Sequence, residues 1–147
     1  MQRRKFLKST AAISTFTILS PEIAFGTRAN SAINIGIIGC GNRGTGVISS
    51  MSRNTNINIL AMADIFQDKL DLAKPRLDKV NQVKGFPEID PKKMYVGPKA
   101  YLDLVNDPDL DAVHISSPAY THPHFLEAAT KAGKHVYCEK PAAVDVA

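Results

Sequence analysis

Residues 33–46 read INIGIIGCGNRGTG. A nearly unbroken apolar run of strand length, INIGIIG, meets glycines at 39, 41, 44 and 46, and the chain continues at helix length from Thr45 to Arg53. Apolar runs that do not alternate belong to strands covered on both faces, and a strand that passes straight into a helix belongs to a parallel sheet. The same handover recurs along the chain. INILAMAD (57–64) is a second strand, followed by QDKLDLAKPRLDKV (67–80), predicted helical until Pro75 disturbs it. NQVKGFPEIDPKK (81–93), with glycine, two prolines and mixed charge, is predicted to be a loop, and MYVG a short strand at best. PKAYLDLVND (98–107) reads as a helix with proline in its first turn, DAVHISS (111–117) as a strand, HPHFLEAATKAG (122–133) as a helix closed by Gly133, and HVYCE (135–139) as the last strand. This order predicts an α/β fold, a doubly wound parallel sheet with right-handed helical crossovers. Ligands of such sheets bind outside the carboxyl ends of the strands, which directs attention to loops 39–46, 64–68, 116–122 and 139–143.

The first of these loops carries the pattern Gly39-x-Gly41-x-x-Gly44 between a buried strand and a helix, and Asp64 ends the next strand 20 residues after Gly44. Strand, glycines, helix and acidic residue together form the dinucleotide-binding (Rossmann) fingerprint. Gly39 permits the tight turn, Gly41 leaves bare backbone for a pyrophosphate, and Gly44 lets the helix pack against the strand. The helix start offers free N–H groups and a positive dipole end to phosphates. Asp64 would accept hydrogen bonds from the adenosine ribose hydroxyls and repel a 2'-phosphate, so NAD is favoured over NADP. Asn42 and Arg43, at the start of the helix, are candidate further contacts, Arg43 to phosphate. S-adenosylmethionine sites use a similar turn, but the last strand argues against that reading.

The first 26 residues, MQRRKFLKSTAAISTFTILSPEIAFG, form a basic head and a modest apolar stretch from Ala11 to Leu19. This is an export signal, too short for a permanent span. Arg3-Arg4-Lys5-Phe6-Leu7-Lys8 resembles the twin-arginine (Tat) motif, with Gln2 where Ser or Thr usually stands. Cleavage is expected after Gly26, with 27–32 a linker, the Tat machinery a partner and the periplasm or another extracytoplasmic site the destination. A cargo that folds around a cytoplasmic cofactor has reason to take that route. The leader also accounts for the charge: the formal net is +4, but without residues 1–26 the chain holds 14 Lys+Arg against 13 Asp+Glu. No nucleic-acid footprint remains. Cys40 and Cys138 are too few for a disulfide framework. They end strands two places apart in the expected sheet, beyond bridging distance, and read as small buried fillers. His122-Pro123-His124 lacks a third metal ligand, so no metal site is expected. His114 reads as a satisfied structural histidine within a strand, and Tyr101, Tyr120 and Tyr137 as core or pocket-rim aromatics.

Residues 116–145, SSPAYTHPHFLEAATKAGKHVYCEKPAAVD, closely resemble the Gfo/Idh/MocA family of NAD(P)-dependent sugar and inositol oxidoreductases. Ser117-Pro118, His122, Ala132 to Val136 and Glu139-Lys140-Pro141 match the family's motifs in order and spacing. The resemblance covers residues 33–147. It implies that Ser117, Pro118 and His122 border the nicotinamide ribose and that Glu139 and Lys140 line the nicotinamide site. Lys140 is then the residue expected to carry chemistry, orienting the reacting hydroxyl and helping to move its proton. It further implies a sugar or polyol substrate and a C-terminal α/β domain, absent from these 147 residues, that binds substrate and mediates homo-oligomerisation. Three readings stay open at this point: an exported oxidoreductase, an NAD-dependent glycosidase on the same scaffold, and a non-catalytic NAD-binding module.

Overall fold

The computed structural model describes residues 32–144. The expected export signal (1–26) and most of the expected linker (27–32) lie outside the described residues. Five strands form one parallel sheet: β1 (Ile33–Ile38), β2 (Ile57–Asp64), β3 (Met94–Val96), β4 (Ala112–Ile115) and β5 (His135–Cys138), in the order β3-β2-β1-β4-β5. Four helices connect them: α1 (Asn42–Asn54), α2 (Gln67–Lys84), α3 (Ala100–Val105) and α4 (His122–Lys131). The chain runs outward from β1 to β3, then returns to β1's other side for β4. That reversal opens a crevice at the carboxyl ends of β1 and β4, as expected of a doubly wound sheet.

Side-chain alternation divides the core into two layers. Ile35 and Ile37 of β1 join Ile59 and Met62 of β2 under Ile48 of α1 and Leu70 and Leu77 of α2. Ile38, Ala61, Ala63, Val113 and Ile115 point the other way, onto Leu104 of α3 and Ala129 of α4. Ile59 and Met62 share a face although three residues apart, because the pairing register shifts between Ile35 and Gly36. A β-bulge of this kind places one extra residue, Leu60, in β2.

Two expectations about α2 are corrected. The helix runs unbroken through Pro75 to Lys84, and so takes in the first residues of the expected loop. The proline lies on the exposed side, where its missing donor is cheapest. Asn81 holds the last turn in place: its side chain accepts from Ile59 N–H (3.1 Å) and donates to the carbonyls of Ile59 (2.8 Å) and Pro87 (3.0 Å). Gly85, at φ 81°, then closes the helix, with Gly85 N–H and Phe86 N–H donating to the carbonyls of Gln82 and Asn81. Pro98 also falls outside α3, which begins at Ala100. The helix expected from Thr45 to Arg53 starts three residues earlier and ends one later, at Asn42–Asn54, so Asn42, Arg43 and Gly44 belong to α1. β2 keeps its expected bounds, and the other elements are shortened by one to three residues at their ends.

Candidate functional site

The turn from β1 into α1 has the geometry that the glycine spacing requires. Gly39 lies at φ 94°, and a Cβ there would stand 2.7 Å from the backbone of Ser116 and Ser117 at the end of β4. A Cβ on Gly44 would stand 2.1 Å from the Gly39 carbonyl oxygen, so this glycine brings α1 onto the turn. Around Gly41 there is nothing within 4 Å of where a Cβ would lie. Its neighbours leave that space open on the side of a cavity. Gly41 is also the N-cap of α1, no side chain caps the helix, and no acidic residue stands in its first turn. The first-turn N–H groups have no intrahelical acceptors, which makes this helix start suited to an anion.

The cavity, of about 480 Å³, lies over the carboxyl ends of β1, β2, β3 and β4. Gly39, Gly41, Asp64, Ser117 and Pro118 line it, five of the residues expected from the sequence. Asp64 is fixed from two directions: Oδ2 accepts from Cys40 N–H (2.7 Å) and Oδ1 from Phe66 N–H (3.1 Å). Each carboxylate oxygen keeps a second lone pair, the equipment a ribose diol needs. Burial of Cys40, and after it the Asp64 charge, push its thiol well above the ordinary range, as expected of an inert filler. Both cysteines are free, and Cys138 is half-buried rather than buried.

Sequence reasoning missed the apolar wall. Ile65, Phe66, Pro98 and Phe125 line the cavity, as do Tyr101 and Tyr120, which were seen only as possible rim aromatics. Tyr101 stacks on Phe125 with ring centroids 4.3 Å apart. The only sequence signal for this wall was the position of these residues just past strand ends or on the helices that follow. Ser116 Oγ, beside Gly39 and Gly44, is buried without a hydrogen-bond partner among the described residues. Bare glycine backbone, an uncapped helix start, a fixed carboxylate and an apolar slot fit a dinucleotide.

Other expected residues take different places. Asn42 lines a separate pocket of about 90 Å³ with Cys40, Lys69 and Arg76. Arg43 is engaged by Glu139 instead of being free for phosphate: Nη2 and Nε donate to Oε2 at 2.8 and 3.2 Å. This bond ties the start of α1 to the end of β5 and holds the Glu139 carboxyl below the usual carboxylate range. His122 is 1% exposed, with Nδ1 at 2.7 Å from the Pro141 carbonyl and Nε2 at 2.9 Å from the Ser117 carbonyl. Both ring nitrogens are thus occupied by backbone. Lys140 is exposed in the loop after β5 and, like Glu139, is not part of the cavity wall. His114 departs from the expectation of a satisfied histidine: it is fully buried, edge-on to Tyr137 (5.3 Å), and neither nitrogen has a partner among the described residues. Desolvation lowers its pKa to about 4. Among the described residues, no group of three His, Cys, Asp or Glu side chains could hold a metal ion, and no helix is long and apolar enough to cross a membrane.

Comparison with known proteins agrees with this geometry. The chain is 33% identical over 116 residues to a glycosyl hydrolase family 109 protein of Solibacter usitatus, covering 79% of this chain and 26% of that protein. It is 31% identical over 115 residues to the myo-inositol 2-dehydrogenase of Thermotoga maritima, covering 78% and 30%. Among solved structures it resembles scyllo-inositol dehydrogenase from Lactobacillus casei with bound NAD(H) and scyllo-inositol, at a TM-score of 0.60 and 30% identity over 78% of this chain and 29% of that one. The chain spans about a quarter to a third of the length of these relatives. The family model described as "Oxidoreductase family, NAD-binding Rossmann fold" matches residues 33–147. The chain therefore belongs to the Gfo/Idh/MocA oxidoreductase family and is its NAD-binding Rossmann part.

Proposed function

We propose that the full-length protein is an NAD-dependent oxidoreductase that moves a hydride between a sugar or polyol carbinol and nicotinamide, and that residues 33–147 supply its nucleotide-binding half. The observation that carries this reading is Asp64, doubly fixed by Cys40 and Phe66 N–H groups and lining the same cavity as the open backbone of Gly41. Bound NAD would supply the hydride acceptor. The chain's own part is to hold the adenosine ribose on Asp64, to leave the pyrophosphate room at Gly41 and the start of α1, and to exclude water with Tyr101, Tyr120 and Phe125. At the other end Lys140 would orient the substrate hydroxyl and take part in moving its proton. The inositol dehydrogenases among the relatives support a polyol substrate. Export by the Tat route and assembly into a homo-oligomer complete the proposal.

Incubating the full-length protein with NAD and a panel of inositols and hexoses, and following NADH absorbance, tests it. Substrate-dependent NADH formation, with NADP poorly used, is expected; no NADH with any member of the panel would count against it. A second reading has support in the family 109 glycosyl hydrolases among the relatives. Hydrolysis of an aryl glycoside without added NAD and without net NADH would favour that reading.

A further inference from the structure

His122 begins α4, directly after the short 3₁₀ turn Ala119–Thr121, and its ring lies between two loops that come from different strands. On one side is the carbonyl of Ser117, two residues past β4. On the other is the carbonyl of Pro141, the residue after Lys140. Pro141 has no N–H and a fixed φ, so of its own backbone groups only the carbonyl can take part in a hydrogen bond. Carbonyl oxygens only accept, so a ring nitrogen must carry hydrogen to bond one. The shorter contact, 2.7 Å, is from Nδ1 to Pro141. Lys140 itself is exposed, and no hydrogen bond or ion pair to its own side chain stands among the described contacts. Its backbone is held through its neighbours: Glu139 by its N–H donating to the Ile115 carbonyl (2.9 Å) and by Arg43 on its carboxylate, and Pro141 by His122.

We propose that His122 is a positioning residue for Lys140: its Nδ1–H donates to the Pro141 carbonyl and fixes the backbone of Pro141, the residue bonded directly to Lys140, against the Ser117 loop. The residue does not touch cofactor or substrate. The inference deepens the proposed function and rests on Lys140 carrying the proton-handling role. Two substitutions separate the two ends of the strut. His122→Asn places an amide N–H near the Nδ1 position and can keep the bond to Pro141. His122→Gln places its amide N–H near the Nε2 position, within reach of the Ser117 carbonyl and not of Pro141.

In the full-length protein, His122→Gln is expected to shift the Lys140 amide resonance and to lower kcat by about a hundredfold, the scale of a misplaced reacting group. NAD affinity should stay near that of the wild type. His122→Asn should leave both the resonance and kcat close to the wild-type values. A residue needed only for folding would lower both variants' melting temperatures and would not split them in this way. Equal behaviour of the two variants, at either readout, overturns the proposal. Should either variant fail to fold, the ¹⁵N shifts of the wild-type ring decide: a hydrogen on Nδ1 supports the strut, and a bare Nδ1 overturns it. Full turnover by Lys140→Ala would sink the role of Lys140 instead, and is told apart because the His122 ring shifts do not depend on it.

Discussion

Gly41 and Gly44 stand three residues apart and are required for opposite reasons. Gly44 is closed in, with a Cβ position 2.1 Å from the Gly39 carbonyl, whereas Gly41 is open. Gly44→Ala forces α1 away from the turn and should cost about 1–3 kcal/mol, the usual penalty of overpacking, read as a lowered midpoint in urea. Gly41→Ala meets no atom and has an N-cap backbone (φ −71°) that alanine can adopt, so its stability should stay within about 1 kcal/mol of wild type. Its NAD affinity, measured by calorimetry, should nevertheless fall by about tenfold, some 1.4 kcal/mol, because the methyl group stands where the pyrophosphate approaches. If Gly41→Ala bound NAD as the wild type does, the pyrophosphate would lie elsewhere. The tight turn at Gly39 and the close helix contact at Gly44 were legible in the spacing alone, because each excludes a Cβ. What spacing could not show was the direction of each long side chain: Arg43 reaches Glu139, 96 residues away in sequence.

At the scale of elements, β4 is buried at all four positions, and one of those is His114. Its ring faces Tyr137 of β5, its register partner, and the nearest charges are Glu139 and Arg43 at the end of β5 and the start of α1. Because burial lowers the folded pKa to about 4 from 6.5, the unfolded chain binds the extra proton between these two values. Stability from this group is intact above pH 6.5 and is lost as pH falls toward 4, by about 3 kcal/mol in all. His114→Leu removes two unpartnered nitrogens at similar volume. It should be neutral or stabilising at pH 7 and should flatten the fall in unfolding free energy between pH 6.5 and 4, measured by urea titration at several pH values. An unchanged slope would mean that His114 takes up its proton alike in the folded and unfolded states, and that burial does not lower its pKa. The strand itself was legible from its apolar run, but its partnerless histidine was not, since a sequence does not show which polar atoms find partners. The helix α2 gives the converse case. Pro75 and the polar stretch after it predicted an early end, yet the buried face of Leu70, Leu77 and Asn81 carries the helix on to Lys84. Tertiary burial outweighed the local breaker.

Across the whole molecule the strand order sets the distance between two roles. Asp64 ends β2 and Lys140 follows β5, three strand positions apart in β3-β2-β1-β4-β5, or roughly 14 Å at the usual strand spacing. One side chain cannot serve both ends across such a gap, so binding and chemistry should separate in mutants of the full-length protein. Added at about 100 times its Kd, NAD should stabilise the wild type by about 2.7 kcal/mol, seen as a raised melting temperature. Asp64→Ala should lose most of that gain with NAD and recover part of it with NADP, because the carboxylate that repels a 2'-phosphate is gone. Lys140→Ala should keep the NAD-induced rise, since Lys140 lies outside the cavity that holds Asp64. Its kcat should fall by about 10²–10⁴, the usual contribution of a positioned acid–base group. Equal loss of the thermal shift in both variants would place Lys140 in nucleotide binding and would leave the chemistry to a residue elsewhere in the full-length protein.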